Sequence, residues 1–293
     1  MQTFKKAELT DIEPLCHALS GYDGRVCDYS AGNIVFWRDH YDISYSLDAN
    51  GLVMKYENMG KRACYSFPVS NDPIKLINKL LNDNGGELCL TCLTKKQLDT
   101  VKENFCVTEI IHSEDWDDYL YLAEDLISLA GRRYCGQRNH INKFKKSYPD
   151  ARFEIITKEN TDMAKNFCHR YFNGAGKVTS VSDVEYKQLL EQFDNWEIYH
   201  QLGGMLIVNN EAIGISVGEI VGDTLIVHTE KADTSFAGAY PMLTNSFAKE
   251  FATPCQFINR EEDCGEEGLR ISKRSYHPIE LIEKYAVTIK ELP

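Results

Sequence analysis

Between Leu126 and Pro149 the chain has no acidic residue, yet it carries Arg132, Arg133, Arg138, Lys143, Lys145 and Lys146. Cations this close together repel one another unless an anion faces them, and arginine forks match the oxygens of a phosphate. The expected chemistry is phosphate contact by Arg132, Arg133, Arg138 and Lys145, with Asn139 alongside. The plainer reading is an amphipathic packing helix over 135–147, with Ile141, Phe144 and Tyr148 on one side and a solvated cationic face. The whole chain has formal net charge -12. Its far field therefore repels nucleic acid and excludes broad non-specific binding, though not a focused site.

A second reactive stretch is INREEDCGEEGLRISKRSYHP, residues 258–278. Carboxylates at Glu261 and Asp263 can hold an incoming amine or take its proton as a general base. Asn259, Arg260, Arg270 and Lys273 can meet phosphate or carboxylate, and Tyr276 or His277 can donate a proton. So many charges in one turn also form helix caps and internal ion pairs, which is the competing structural reading. Upstream, His228 and Glu230 alternate on TLIVHTEKA and so share one strand face.

Cys89 and Cys92 have the CxxC spacing of zinc and redox sites. On a strand that spacing puts the two side chains on opposite faces, and no second CxxC completes a tetrahedral site. They read as small core residues, and no metal is expected. The ten cysteines fall at irregular spacings without an export signal, which suggests reduced thiols in a cytoplasmic protein. No run of 18 apolar residues exists to span a membrane.

These residues must be positioned by elements whose order occurs twice along the 293-residue chain. In the second half a strand at 151–157 precedes helices near 161–175 and 182–193. Three β-rich runs follow, at 196–210, 211–223 and 224–232, then a helix from Pro241 to Phe251. A short strand at 255–260, a helix near 266–275 and a last strand at 279–290 close the order. The first half has helices near 10–19 and 32–39, and three strands in ISYSLD, LVMKYEN and ACYSFPV. Helix 73–83, strand 87–93, helix 95–105 and a strand near 107–113 come next. The expected domains are 1–125, a basic connecting segment 126–150, and 151–293 with the active cleft.

This order of elements is similar to the GNAT acyltransferase fold, an α+β (mixed α/β) architecture with a splayed mixed sheet flanked by helices. At residue level the second half resembles the soluble C-terminal domain of phosphatidylglycerol lysyltransferase, whose group pairs two GNAT-like halves, as Fem-type peptidyltransferases do. The resemblance rests on Leu129-Ala130-Gly131-Arg132-Arg133-Tyr134, Arg138-Asn139-His140-Ile141-Asn142 and Asp233–Tyr240. It continues in Phe257–Asp263, Gly265, Gly268-Leu269-Arg270, Lys273 and Ser275-Tyr276-His277-Pro278.

The resemblance implies transfer of an acyl or aminoacyl group from a carrier, aminoacyl-tRNA or acyl-coenzyme A, to an amine or hydroxyl acceptor, whether small molecule, lipid or peptide. No cofactor is held tightly. It further implies a phosphate-holding turn at Thr234, Ser235, Gly238, Ala239 and Tyr240, half formed because Asp233 or Thr234 replaces the leading Arg or Gln. The equivalent first-half turn, PVSNDPI, lacks glycine. Glu230 ranks first as the base by strand position, then Glu261 and Asp263. The customary acid falls at Ile271, so Tyr276 is the substitute. A coenzyme A-dependent N-acetyltransferase and a silent nucleotide-, tRNA- or protein-binding module are the alternatives.

Overall fold

In the computed structural model, which describes residues 2–59, 62–174 and 180–292, contacts divide the chain into two units. The first comprises Met1–Tyr119, Glu261–Lys273 and Glu280–Pro293; the second comprises Leu120–Arg260 and Arg274–Ile279. The strands are β1 (Lys5–Lys6), β2 (Ile43–Asp48), β3 (Gly51–Tyr56), β4 (Cys64–Ser66), β5 (Glu87–Leu93), β6 (Cys106–His112) and β7 (Asp118–Leu122). They continue as β8 (Arg152–Ile155), β9 (Leu202–Val208), β10 (Glu211–Val221), β11 (Thr224–Ala232), β12 (Phe257–Asn259), β13 (Glu280–Ile282) and β14 (Tyr285–Lys290).

The first unit is built on a mixed sheet of order β1-β2-β3-β4-β5-β14-β6, parallel only between β4 and β5. Two helices cover one face. Pro73–Asp83 starts where the Asp72 side chain accepts from the Lys75 amide, and it buries Leu76, Ile77, Leu80 and Leu81. Lys95–Asn104 starts with a reciprocal Thr94–Gln97 cap. Their apolar sides meet Leu88, Leu90, Val287 and Ile289 in one core cluster. Strand alternation then turns Cys89, Thr91, Ala286 and Thr288 to the opposite face.

The second unit holds the order β7-β12-β11-β10-β9-β8, with β11 and β12 parallel and the other pairs antiparallel. Helix Cys135–Ser147 inserts Phe144 among Leu206, Val208, Ile213, Ala232, Ala239 and Leu243. The expected mixed α/β class, with two sheets flanked by helices, is the one observed.

Three local expectations and the domain boundaries need correction. WEIY, read as strand, is the helical turn Trp196–Tyr199. Residues 118–128, for which no element was expected, form β7 and helix Ala123–Ser128, and the expected connecting segment 126–150 lies wholly inside the second unit. The single last strand is two, and β14 joins the first unit's sheet between β5 and β6. Cys64 and Cys89 are disulfide-bonded, so these two are not the free thiols expected.

Candidate functional site

Three residues singled out from sequence do meet in the second unit. Glu230 ends β11, Arg260 follows β12, and Tyr276 lies beyond helix Glu267–Arg274. Arg260 Nη2 donates to Glu230 Oε1 at 2.7 Å, and the Thr244 hydroxyl donates to the same oxygen at 2.7 Å. The guanidinium carbon lies 4.8 Å from the centre of the Tyr276 ring and 5.9 Å from that of Tyr121. Burial acts to lower the Arg260 pKa, but Glu230 and the two phenols outweigh it and raise it. Burial pushes the Tyr276 phenol up to about 12. The void beside these groups is about 10 Å³, near the lower limit for one water. The expected base Glu230 is thus an acceptor committed to two donors in a closed cluster, and its neighbours hold it as an ion-pair partner.

The expected phosphate turn satisfies part of its own backbone. In 233–239 the Ser235 amide donates to Asp233 Oδ1, the Phe236 amide to Asp233 O, and the Ala239 amide to Phe236 O. These three amides are engaged within the turn. Gly238 has φ +92, and a Cβ there would lie 2.5 Å from the His140 carbonyl oxygen, so it permits close packing of helix Cys135–Ser147. Thr234 and Ser235 are exposed, Ala239 is buried, and the Tyr240 hydroxyl lies 3.4 Å from that of Tyr171.

The basic segment splits by role. Arg133 pairs with Asp125 at 2.6 Å, and Arg138 donates to the Leu129 and Gly131 carbonyls. Arg132, Asn139, Lys143, Lys145 and Lys146 are exposed.

In the first unit Arg270 grips Asp263 through Nε and Nη2, both at 2.8 Å, and Tyr119 donates to Asp263 at 2.6 Å. Lys273 donates to the Glu261 and Glu262 carbonyls, while Asn33 reaches Glu261 Oε1 at 3.4 Å. Asn259, in the second unit, is fully buried within β12. Asp263, Arg270 and Lys273 are therefore each held by partners within the protein.

Substrate-sized space lies on the open face of the first unit's sheet, in a cavity of about 840 Å³. Cys89, Thr91, Glu109, Ile111 and Thr288 form its sheet wall, with the aromatic rings of Tyr41, Trp116 and Tyr285 around it. Cys92 has φ +55 beside a register shift between β5 and β14. This irregularity brings Cys92 onto the same cavity as Cys89, against the alternation expected of a regular strand.

The cavity's charged end is Asp28, Glu262 and Lys284. Lys284 Nζ lies 2.8 Å from Asp118 Oδ1, 3.0 Å from Asp28 Oδ2 and 3.1 Å from Glu262 Oε2. Its side chain is only 7% exposed. Burial acts to lower the Lys284 pKa, but the surrounding carboxylates outweigh it and raise it. Burial raises Asp118; for Glu262 the Lys284 ammonium outweighs burial and holds the carboxyl well below its usual range. Burial pushes the Cys27 thiol up, so it stays protonated.

Among the described residues, Cys27, Glu261 and Glu262 bring ligand atoms within 4.8 Å of one another. The Lys284 ammonium, 3.6 Å from Cys27 Sγ, already supplies a cation there. Sequence reasoning missed Asp28, Asp118 and Lys284 because they stand at distant positions with no motif spacing. The one available signal was a lysine inside the single last strand expected at 279–290.

The family model for the C-terminal region of phosphatidylglycerol lysyltransferase matches residues 20–288. An uncharacterised protein of Mycoplasmoides gallisepticum is 26% identical over 216 residues, covering 71% of this chain and 67% of its own length. A conserved protein of unknown function from Bacteroides thetaiotaomicron superposes with TM-score 0.91 and 31% identity, over 99% of this chain and 100% of that one. L-PGS from Bacillus licheniformis shares the fold, with TM-score 0.64 and 12% identity over 98% and 94% of the two chains. With a match running nearly end to end, the chain belongs to the phosphatidylglycerol lysyltransferase C-terminal family.

Proposed function

We propose that this protein is an acyltransferase that moves an activated acyl or aminoacyl group from a carrier to an amine or hydroxyl acceptor. The small reactant occupies the first unit's cavity. The observation that carries the reading is that cavity: it has ligand volume, apolar walls and a few convergent charged groups. Membership of a family named for lysyl transfer supports the reaction class.

The acceptor's nitrogen or oxygen adds to the acyl carbon, the carrier's ester or thioester bond breaks, and the carrier leaves with a proton. The acceptor's own proton passes to Asp28, which lines the cavity and shares one oxygen with Lys284. Catalysis is mainly positioning. Three amides of the 233–239 loop are already engaged within it and its leading Arg or Gln is replaced, which favours a charged tRNA over coenzyme A as the donor. The exposed Arg132, Lys143, Lys145 and Lys146 are the contacts available to its phosphates. No described helix is long and apolar enough to cross a membrane. Both donors are cytoplasmic molecules, and the reaction is assigned to that compartment.

The closed packing of Glu230, Arg260 and Tyr276 favours one other reading, a module that binds its ligand without turnover. The two are separated by incubating the protein with radiolabelled lysyl-tRNA or acetyl-coenzyme A, plus phosphatidylglycerol vesicles or a panel of amines. Label in a new product from lysyl-tRNA supports the proposal. Label only from acetyl-coenzyme A moves the donor assignment, and no product from either leaves the binding module.

A further inference from the structure

We infer that the first unit's cavity is selective for a small primary amine with an apolar or aromatic body. Its place in catalysis rests on the transferase reading above, but its binding does not.

The volume, about 840 Å³, is that of a small-molecule site. Ile111 and Ala286 give it apolar wall, and Tyr41, Trp116 and Tyr285 bring ring faces that attract a cation or stack on an aromatic body. Trp116 and Ile111 are 47% and 45% exposed, large apolar groups that a bound ligand would cover.

Charge selects the polar end of the ligand. Asp28, Glu109 and Glu262 line the cavity, and Asp118 stands behind Lys284; against these four carboxylates the wall sets Arg62 and Lys284. Arg62 is engaged with Glu87 and Thr288. Lys284 spreads its ammonium over Asp28 Oδ2, Asp118 Oδ1 and Glu262 Oε2. Even with Lys273 also acting on Glu262, two cations against Asp28, Asp118 and Glu262 leave the buried end anionic, so a further ammonium is attracted and a carboxylate is repelled. The second oxygens of Asp28 and Glu262 are its acceptors. A hard divalent ion, which takes six or more oxygens, would have to share these few with Lys284.

The test is calorimetry on the full chain at neutral pH with phenethylamine, 3-phenylpropionate and phenethyl alcohol. Phenethylamine is expected to bind one to one, at least tenfold more tightly than the alcohol, and the carboxylate not at all. Glu262→Gln is expected to weaken the amine at least tenfold. Ile111→Trp, at an exposed wall position, is expected to intrude on the cavity and weaken amine binding at least tenfold with the fold intact, which keeps the test decisive if Glu262→Gln does not fold. Binding of the carboxylate as tightly as the amine, absence of amine binding, or amine binding unmoved by Ile111→Trp overturns the inference. None of these readouts needs a donor. Transfer to a hydroxyl without amine binding would sink this inference alone, and amine binding without transfer would sink only the transferase.

Discussion

Arg260 donates to Glu230 across 2.7 Å with both side chains about nine-tenths buried. Removing one partner from such a pair leaves an uncompensated charge in the interior, a loss of about 3–5 kcal/mol. Glu230→Gln is accordingly expected to lower the urea midpoint substantially. A midpoint equal to wild type would return Glu230 to the role of a free base.

Gly238 holds φ +92 with the His140 carbonyl where a Cβ would go. Gly238→Ala therefore meets both a strained backbone and a backbone clash, and about 2–4 kcal/mol of destabilisation is expected. Gly136, in helix Cys135–Ser147, has nothing within 4 Å of its Cβ position. Gly136→Ala should raise stability by up to about 1 kcal/mol. Thermal melts of the two variants moving in the same direction would contradict this account of the helix packing.

Acid stability should follow Asp263. Burial works to raise its pKa, but the Arg270 fork, the Tyr119 hydroxyl and the Gly265 amide outweigh that and bring it to about 2, below the usual 3.8. A depressed carboxylate stabilises the fold above its unfolded pKa, and that contribution disappears as pH falls from near 4 toward 2. The contribution is about 2 kcal/mol. Asp263→Asn should lower stability at neutral pH and flatten its dependence between pH 4 and 2; an unchanged acid limb would show that the pair contributes little.

The Cys64–Cys89 bridge closes a sequence separation of 25 residues between neighbouring strands. Loop-closure entropy assigns such a link about 3 kcal/mol. Alkylation of unfolded, unreduced protein is expected to add eight adducts by mass, and reduction first should raise that to ten. Ten adducts without reductant would show the pair to be free thiols.

Much of the fold was legible because local chemistry fixed it. Asp72-Pro73 and the Thr94/Gln97 box set two helix starts, and alternation in TLIVHTEKA gave β11 from Thr224 to Ala232. What escaped was decided at long range. DYLYL reads as strand only beside β12, and β14 joins a sheet whose other strands end some 170 residues earlier. The site was less legible still. Clusters rich in charge, 259–273 above all, use it to hold one another, as Arg270 does Asp263. The cavity's acidic end needed Asp28, Asp118, Glu262 and Lys284 folded together. Cys92 reached that cavity through a strand irregularity that no spacing rule anticipates.

The most direct measurement is single-turnover transfer from radiolabelled lysyl-tRNA by wild type and Ile111→Trp, with melting temperatures taken in parallel. The account predicts transfer by wild type, a loss of at least tenfold with the cavity narrowed, and equal melting temperatures. Transfer at the wild-type rate by Ile111→Trp would contradict the assignment of the reaction to this cavity.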